Sequence, residues 1–167
     1  MARSTTALQI AQLYARPVDQ RLGASRMNQL TRTDASPSHA VHFCTHCAAL
    51  SRDSGARVCP ACGLGVLLGC EPGILPRPGA AFLIVKSDLR ISAASAAVEP
   101  LLGDPDALVG EQVLDVVTGD PALPRWIARA AMGSRRVTSV ALRLGARRIN
   151  GRVATCGDPV AALLVLE

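Results

Sequence analysis

The chain has 167 residues, of which 49% are hydrophobic, 2% aromatic and 19% charged, with a formal net charge of +5. That gives room for one ordinary domain and a small accessory one, with a core of Ala, Val, Leu and Ile rather than rings. Tyr14, Phe43, Phe82 and Trp126 are all the aromatics, too few for a base-stacking platform on single-stranded nucleic acid, and no apolar run reaches the roughly 20 residues that span a bilayer.

Residues 1–40 read as a helical, partly disordered segment ending in a linker. Ala7, Ile10, Ala11 and Tyr14 share a face at helical spacing. Pro17 interrupts that pattern, and Val18 and Leu22 begin a poorer stripe. Arg3, Arg16, Arg21, Arg26 and Arg32 are dispersed among Asp19 and Asp34, which suits a solvated helix face better than a nucleic-acid arm. The first 18 residues are basic and lack acids, a faint organelle-transit signature. No secretory apolar region opens the chain, so the cytoplasm is the expected compartment.

Two CxxC pairs follow, Cys44 with Cys47 and Cys59 with Cys62, eleven residues apart. Zinc favours a tetrahedron of four ligands, and thiolate sulfur is a preferred donor. Each two-residue spacing lets one tight turn bring two sulfurs onto one ion. Residues 41–70 are therefore expected to be a zinc ribbon holding a structural Zn2+ on Cys44, Cys47, Cys59 and Cys62. Gly63 suits a backbone position of positive φ beside the second pair. Three readings compete. A disulfide framework needs an oxidising compartment, and six cysteines allow 15 pairings. A redox CxxC needs a strand–CxxC–helix context, which is missing. His42 or His46 can replace a cysteine as ligand, but four thiolates need neither. A shell closed by four protein ligands leaves no position for substrate, so no catalysis is assigned to it. Cys70 and Cys156 read as small apolar residues.

Residues 71–78 are rich in proline and glycine and mark a linker before a domain over 79–167. Ala81 to Val85 and Leu89 to Ala93 read as two short strands around a Lys86-Ser87-Asp88 turn. Ser95 opens a helical stretch crossed by Pro100. Asp104 caps a short helix with Pro105 at its first position, and Val113 to Val117 form another short segment. Asp120-Pro121 reads as the start of a helix carrying Leu123, Trp126, Ile127, Ala130 and Ala131, ended by Gly133. Three strands close the chain. Thr138, Val140, Leu142 and Leu144 share one face, as do Ile149, Gly151 and Val153 after a hairpin at Gly145-Ala146. Val160 to Leu166 is apolar on both faces.

Strand, strand, several short helices and three antiparallel strands is the element order of a PAS domain. "FLIVKSDLRISAAS" (Phe82 to Ser95) resembles the family's opening hairpin, with Asp88 in its turn. Glu99 with "LLG" (Leu101 to Gly103) resembles the end of its first helix. "ALVGEQVLDVV" (Ala107 to Val117) resembles the segment with a glycine before the next helix. Pro100 departs from a clean first helix. The resemblance implies an α+β fold, a PAS-like five-stranded antiparallel sheet with short helices in the order 2-1-5-4-3, beside the small zinc ribbon and the helical N-terminal segment. The doubly apolar strands are the two that this order makes central, and they need cover on both faces. Helices cover one; a second chain or the N-terminal helix with Tyr14 is the expected cover of the other.

The resemblance implies a sensor or interaction module. Histidine-ligated haem does not fit, because His39, His42 and His46 all precede the domain. The flavin photoreceptor type needs an Asn-Cys-Arg motif on a helix, and Cys156 lies at a strand end. The ligand, if any, is unknown. No nucleotide loop or Ser–His–Asp set is present, so enzyme activity is not expected. The function expected is that of a cytosolic regulatory protein, a PAS-like sensor or dimerisation module coupled to a zinc-ribbon interaction module, with a homodimer or a protein partner on the sheet. The alternative is a nucleic-acid-binding transcriptional regulator whose ribbon and arginines touch phosphate. A third reading is a redox sensor using Cys70, Cys156 or released metal ligands.

Overall fold

Strand β1 (His42–Cys44) opens the described part of the chain, which in this computed structural model comprises residues 41–53, 55–70 and 72–167. The helices expected within residues 5–31 and the linker at 32–40 lie outside the described residues. β1 pairs antiparallel with both β2 (Leu50–Ser51) and β3 (Leu67–Gly69), giving a three-stranded ribbon of order β2-β1-β3. A single 3-10 turn at Pro72–Ile74 leads out of it.

The second sheet begins with β4 (Ala81–Val85) and β5 (Ile91–Ala94). β5 starts two residues later than the sequence pattern suggests, because Leu89 adopts φ 65° and closes the turn. Its N–H donates to Lys86 O at 3.0 Å, while Lys86 N–H donates to Arg90 O at 2.9 Å. After Ser95 come a 3-10 turn (Ala96–Val98) and three four-residue helices, α1 (Glu99–Leu102), α2 (Pro105–Leu108) and α3 (Val113–Val116). Pro100 sits in the first turn of α1, where a missing N–H costs nothing. Asp104 caps α2 by accepting the Asp106 N–H at 3.0 Å.

A two-residue strand, β6 (Thr118–Gly119), comes before α4 (Leu123–Ala131). α4 begins two residues past the expected Asp120-Pro121 start. Asp120 accepts the Ala122 N–H on its carboxylate at 2.8 Å and the Leu123 N–H on its carbonyl at 2.9 Å. It therefore builds a turn that feeds the helix, with Pro124 inside the first helical turn. Then follow β7 (Thr138–Leu144), β8 (Arg147–Cys156) and β9 (Ala161–Leu166).

The sheet order is β5-β4-β9-β8-β7-β6, with every neighbouring pair antiparallel. Without β6 this is the order 2-1-5-4-3 of a PAS sheet. The sheet has six strands rather than five: Thr118 pairs with Arg143 and Gly119 with Leu142. Only glycine allows this. Gly119 has φ 142°, and a Cβ there would meet Ala141 O and Leu142 Cα.

β4 and β9 are both interior strands, and both of their sides are covered. On one side Leu83, Val85, Leu164, Val153 and Leu142 pack against Leu108, Val113, Leu123 and Ile127 of the helical segments. On the other, Phe82, Ile84, Leu163, Val165 and Ala154 pack against Phe43, Ala48 and Leu68 of the ribbon and Ile74 and Leu75 of the linker. Where the sequence pattern calls for a second chain or the N-terminal helix, the structure places the ribbon. Phe43 and Phe82 meet edge to face, ring centroids 5.4 Å apart at 85°. Both are fully buried.

Candidate metal centre

Cys44 ends β1, and the chain turns at once through Thr45 and His46 to Cys47. The second turn carries Cys59 and Cys62. The two turns repeat one local design. Ala48 N–H donates to Cys44 O at 3.1 Å, and Gly63 N–H donates to Cys59 O at 2.9 Å. The residue after each second cysteine is left-handed, Ala48 at φ 60° and Gly63 at φ 69°. Gly63 meets that demand without cost, whereas Ala48 carries the strain of a Cβ. Thr45 joins the turns: its N–H donates to Val66 O at 3.0 Å and its Oγ1 accepts the Val66 N–H at 3.1 Å.

The four Sγ atoms lie within 4.8 Å of one another. Cys44 and Cys62 sulfurs are 3.6 Å apart, and those of Cys47 and Cys59 are 3.8 Å apart. These separations are far beyond the ~2.05 Å of a disulfide. They match the edges of a tetrahedron of sulfurs around one metal ion, an arrangement that suits zinc or iron. Among the described residues, which include all six cysteines, no disulfide is present.

Backbone amides stabilise the charge that thiolates would carry. His46 and Cys47 N–H groups point at Cys44 Sγ at 3.3 and 3.5 Å. Amides of Gly65 and Leu64 bring Cys62 down from an ordinary 9.0 to about 6. Burial pushes Cys44 up to about 12 and also raises Cys47. A metal ion is the charge that would hold the raised Cys44 and Cys47 in thiolate form beside Cys62.

The structure thus brings together Cys44, Cys47, Cys59 and Cys62. His42 and His46 do not join the set. His46 contributes its backbone N–H, and the buried Nδ1 of His42 has no hydrogen-bond partner among the described residues. Cys70 and Cys156 lie elsewhere, facing each other where the ribbon meets the sheet. Sequence reasoning missed Gly65. A Cβ there would run into Cys44 Sγ, with His46 N at 2.8 Å. The available signal was a second glycine three residues past Cys62.

Main-chain hydrogen bonds hold the ribbon to segments that flank the strands of the larger sheet. His46 O accepts the Ala96 N–H at 2.8 Å, Cys47 O accepts the Gly79 N–H at 3.4 Å, and Gly69 O accepts the Gly157 N–H at 2.8 Å. Among the described residues no helix is long and apolar enough to cross a membrane.

No family model and no curated protein matches this sequence. Among solved structures, the chain is similar to the PAS domain of nitrogen regulation protein NR(II) from Vibrio parahaemolyticus. The two are 18% identical, with a TM-score of 0.43, over 57% of this chain and 94% of that one.

Proposed function

We propose that the chain is a regulatory signalling protein of the cytoplasm, a PAS-like sensor or dimerisation module joined to a structural zinc ribbon that offers an interaction surface. The observation that carries this reading is the seating of the first cysteine turn on the sheet, through Phe43 against Phe82 and His46 O against the Ala96 N–H. A change in either module reaches the other through packed rings and main-chain hydrogen bonds.

Zinc is the ion favoured by this donor set. Arms of about 2.3 Å give a tetrahedron with edges near 3.8 Å, against the 3.6 and 3.8 Å found here. Its role is structural, and the reading assigns no enzyme activity. Zinc thiolates also favour a reducing compartment. The ribbon leaves Val58, Leu64 and Val66 exposed at 54%, 74% and 49%, with Val58 opposite Val66. These are contact points for a protein partner or a second copy of the chain.

Native mass spectrometry of the protein as purified tests the reading. One zinc per chain is expected, together with a reproducible subunit count and the mass of any ligand retained. Absence of zinc under reducing conditions, or iron in its place, would remove the zinc ribbon. Arg143 and Arg148 face each other across β7 and β8, both exposed. They favour a second reading, contact with nucleic-acid phosphate. Such binding weakens steeply as salt rises; no binding at low salt would eliminate it.

A further inference from the structure

We propose that Cys70 and Cys156 form a redox-sensitive disulfide that stitches the ribbon to the sheet. They are the two cysteines outside the metal centre. Cys70 follows β3 directly and Cys156 ends β8. The two stand opposite each other as an antiparallel bridge. The flanking Gly157 N–H donates to Gly69 O at 2.8 Å, so the cysteines occupy a non-hydrogen-bonded pair. In such pairs Cα atoms lie about 4.5 Å apart and side chains approach closely, inside the ~4.4–6.8 Å that a disulfide spans. Both side chains pack in the same apolar cluster, so they lie on one side of the paired strands. A negative charge on Cys70 is felt at Cys156.

The oxidant is hydrogen peroxide. Cys70 is half-buried, whereas Cys156 is 3% exposed, so peroxide meets Cys70 first. The Cys70 thiolate attacks one peroxide oxygen, the O–O bond breaks, and the departing hydroxide takes a proton to become water. Cys70 is left as a sulfenic acid. The Cys156 sulfur then attacks the Cys70 sulfur. The S–S bond forms, the S–O bond breaks, and the hydroxyl leaves as water with the Cys156 proton. Two thiols have lost two hydrogen atoms, and peroxide has become two waters. Burial pushes the Cys156 thiol up to about 12, which suits a resolving rather than an attacking sulfur. The bond ties the ribbon to the sheet by a link that does not depend on the metal.

The test is peptide mapping of the full chain. The protein as purified is freed of reductant, treated with dilute hydrogen peroxide, alkylated, digested without reduction and analysed by mass spectrometry. The expected result is a peptide pair joined through Cys70 and Cys156, lighter by two hydrogens than its separate halves and released by dithiothreitol. Metal content should be unchanged at the lowest peroxide dose that gives the link. Cys70→Ser should abolish the product; because the wild-type map is itself decisive, the result does not depend on a variant of the buried Cys156. Cross-links confined to Cys44, Cys47, Cys59 and Cys62, or Cys70 and Cys156 each recovered alkylated or overoxidised, would overturn the proposal. Neither outcome bears on which metal the other four cysteines hold.

Discussion

A Cβ on Gly65 would press on Cys44 Sγ and on His46, whose own Cβ would be 2.9 Å away. Backbone and one of the four clustered thiols line that space, so neither can step aside cheaply. Gly65→Ala should therefore lower metal affinity on the order of 10–100-fold, the range seen when an outer support of a metal site is lost. Competition with a chromogenic chelator would measure it. Gly63 gives the contrast. Its φ is 69°, but nothing lies within 4 Å of a Cβ placed there. Gly63→Ala should keep the metal and cost roughly 1–2 kcal/mol, the penalty of a left-handed L-residue. Equal metal affinity in both variants would contradict this division. Gly63 was legible in the sequence because a residue directly after a cysteine turn is a local feature. Gly65 was not, since its clash exists only once the two turns pack together.

Among the elements, β4 and β9 were the most legible. Continuous apolar runs mean burial on both faces, and both strands are interior and covered on both sides. The alternation in β7 was equally plain: Val140, Leu142 and Leu144 are buried, while Ser139, Ala141 and Arg143 are exposed. The identity of the second cover was hidden, because nothing local in Phe43 says that it meets Phe82. β6 was hidden as well, since two residues carry no periodicity. Phe43 and Cys44 are successive residues of β1, so their side chains point to opposite faces. This allows the docking contact to be tested apart from the metal. Phe43→Ala should destabilise by about 3–5 kcal/mol, the cost of emptying a buried phenylalanine site, while zinc content stays at the parent level. Chemical denaturation beside elemental analysis would read both. A cost below about 0.5 kcal/mol, the range of ordinary surface changes, would mean that ribbon and sheet do not unfold together.

For the whole molecule, the balance between metal and core decides what chelation does. Structural zinc in small modules contributes about 10–16 kcal/mol of apparent binding energy, against a total stability of about 5–15 kcal/mol for a typical domain. On the proposed zinc reading, a ribbon of short strands with exposed Val58, Leu64 and Val66 has no reserve of that size without the ion. Its loss would not be local. Phe82, Ile84, Leu163 and Val165 rely on the ribbon and linker for cover, and these residues make up one face of two interior strands. Stripping the metal with a strong chelator under reducing conditions should uncover that face. A large rise in the fluorescence of a hydrophobic dye is expected, followed by concentration-dependent self-association in sedimentation. Restoring one equivalent of zinc should reverse both. The reducing agent matters, because a Cys70–Cys156 bond would keep the ribbon tethered and blunt the response. If the chelated, reduced protein bound no dye and sedimented as before, the ribbon would be holding its place without a metal. The four sulfurs would then not be what anchors it to the sheet.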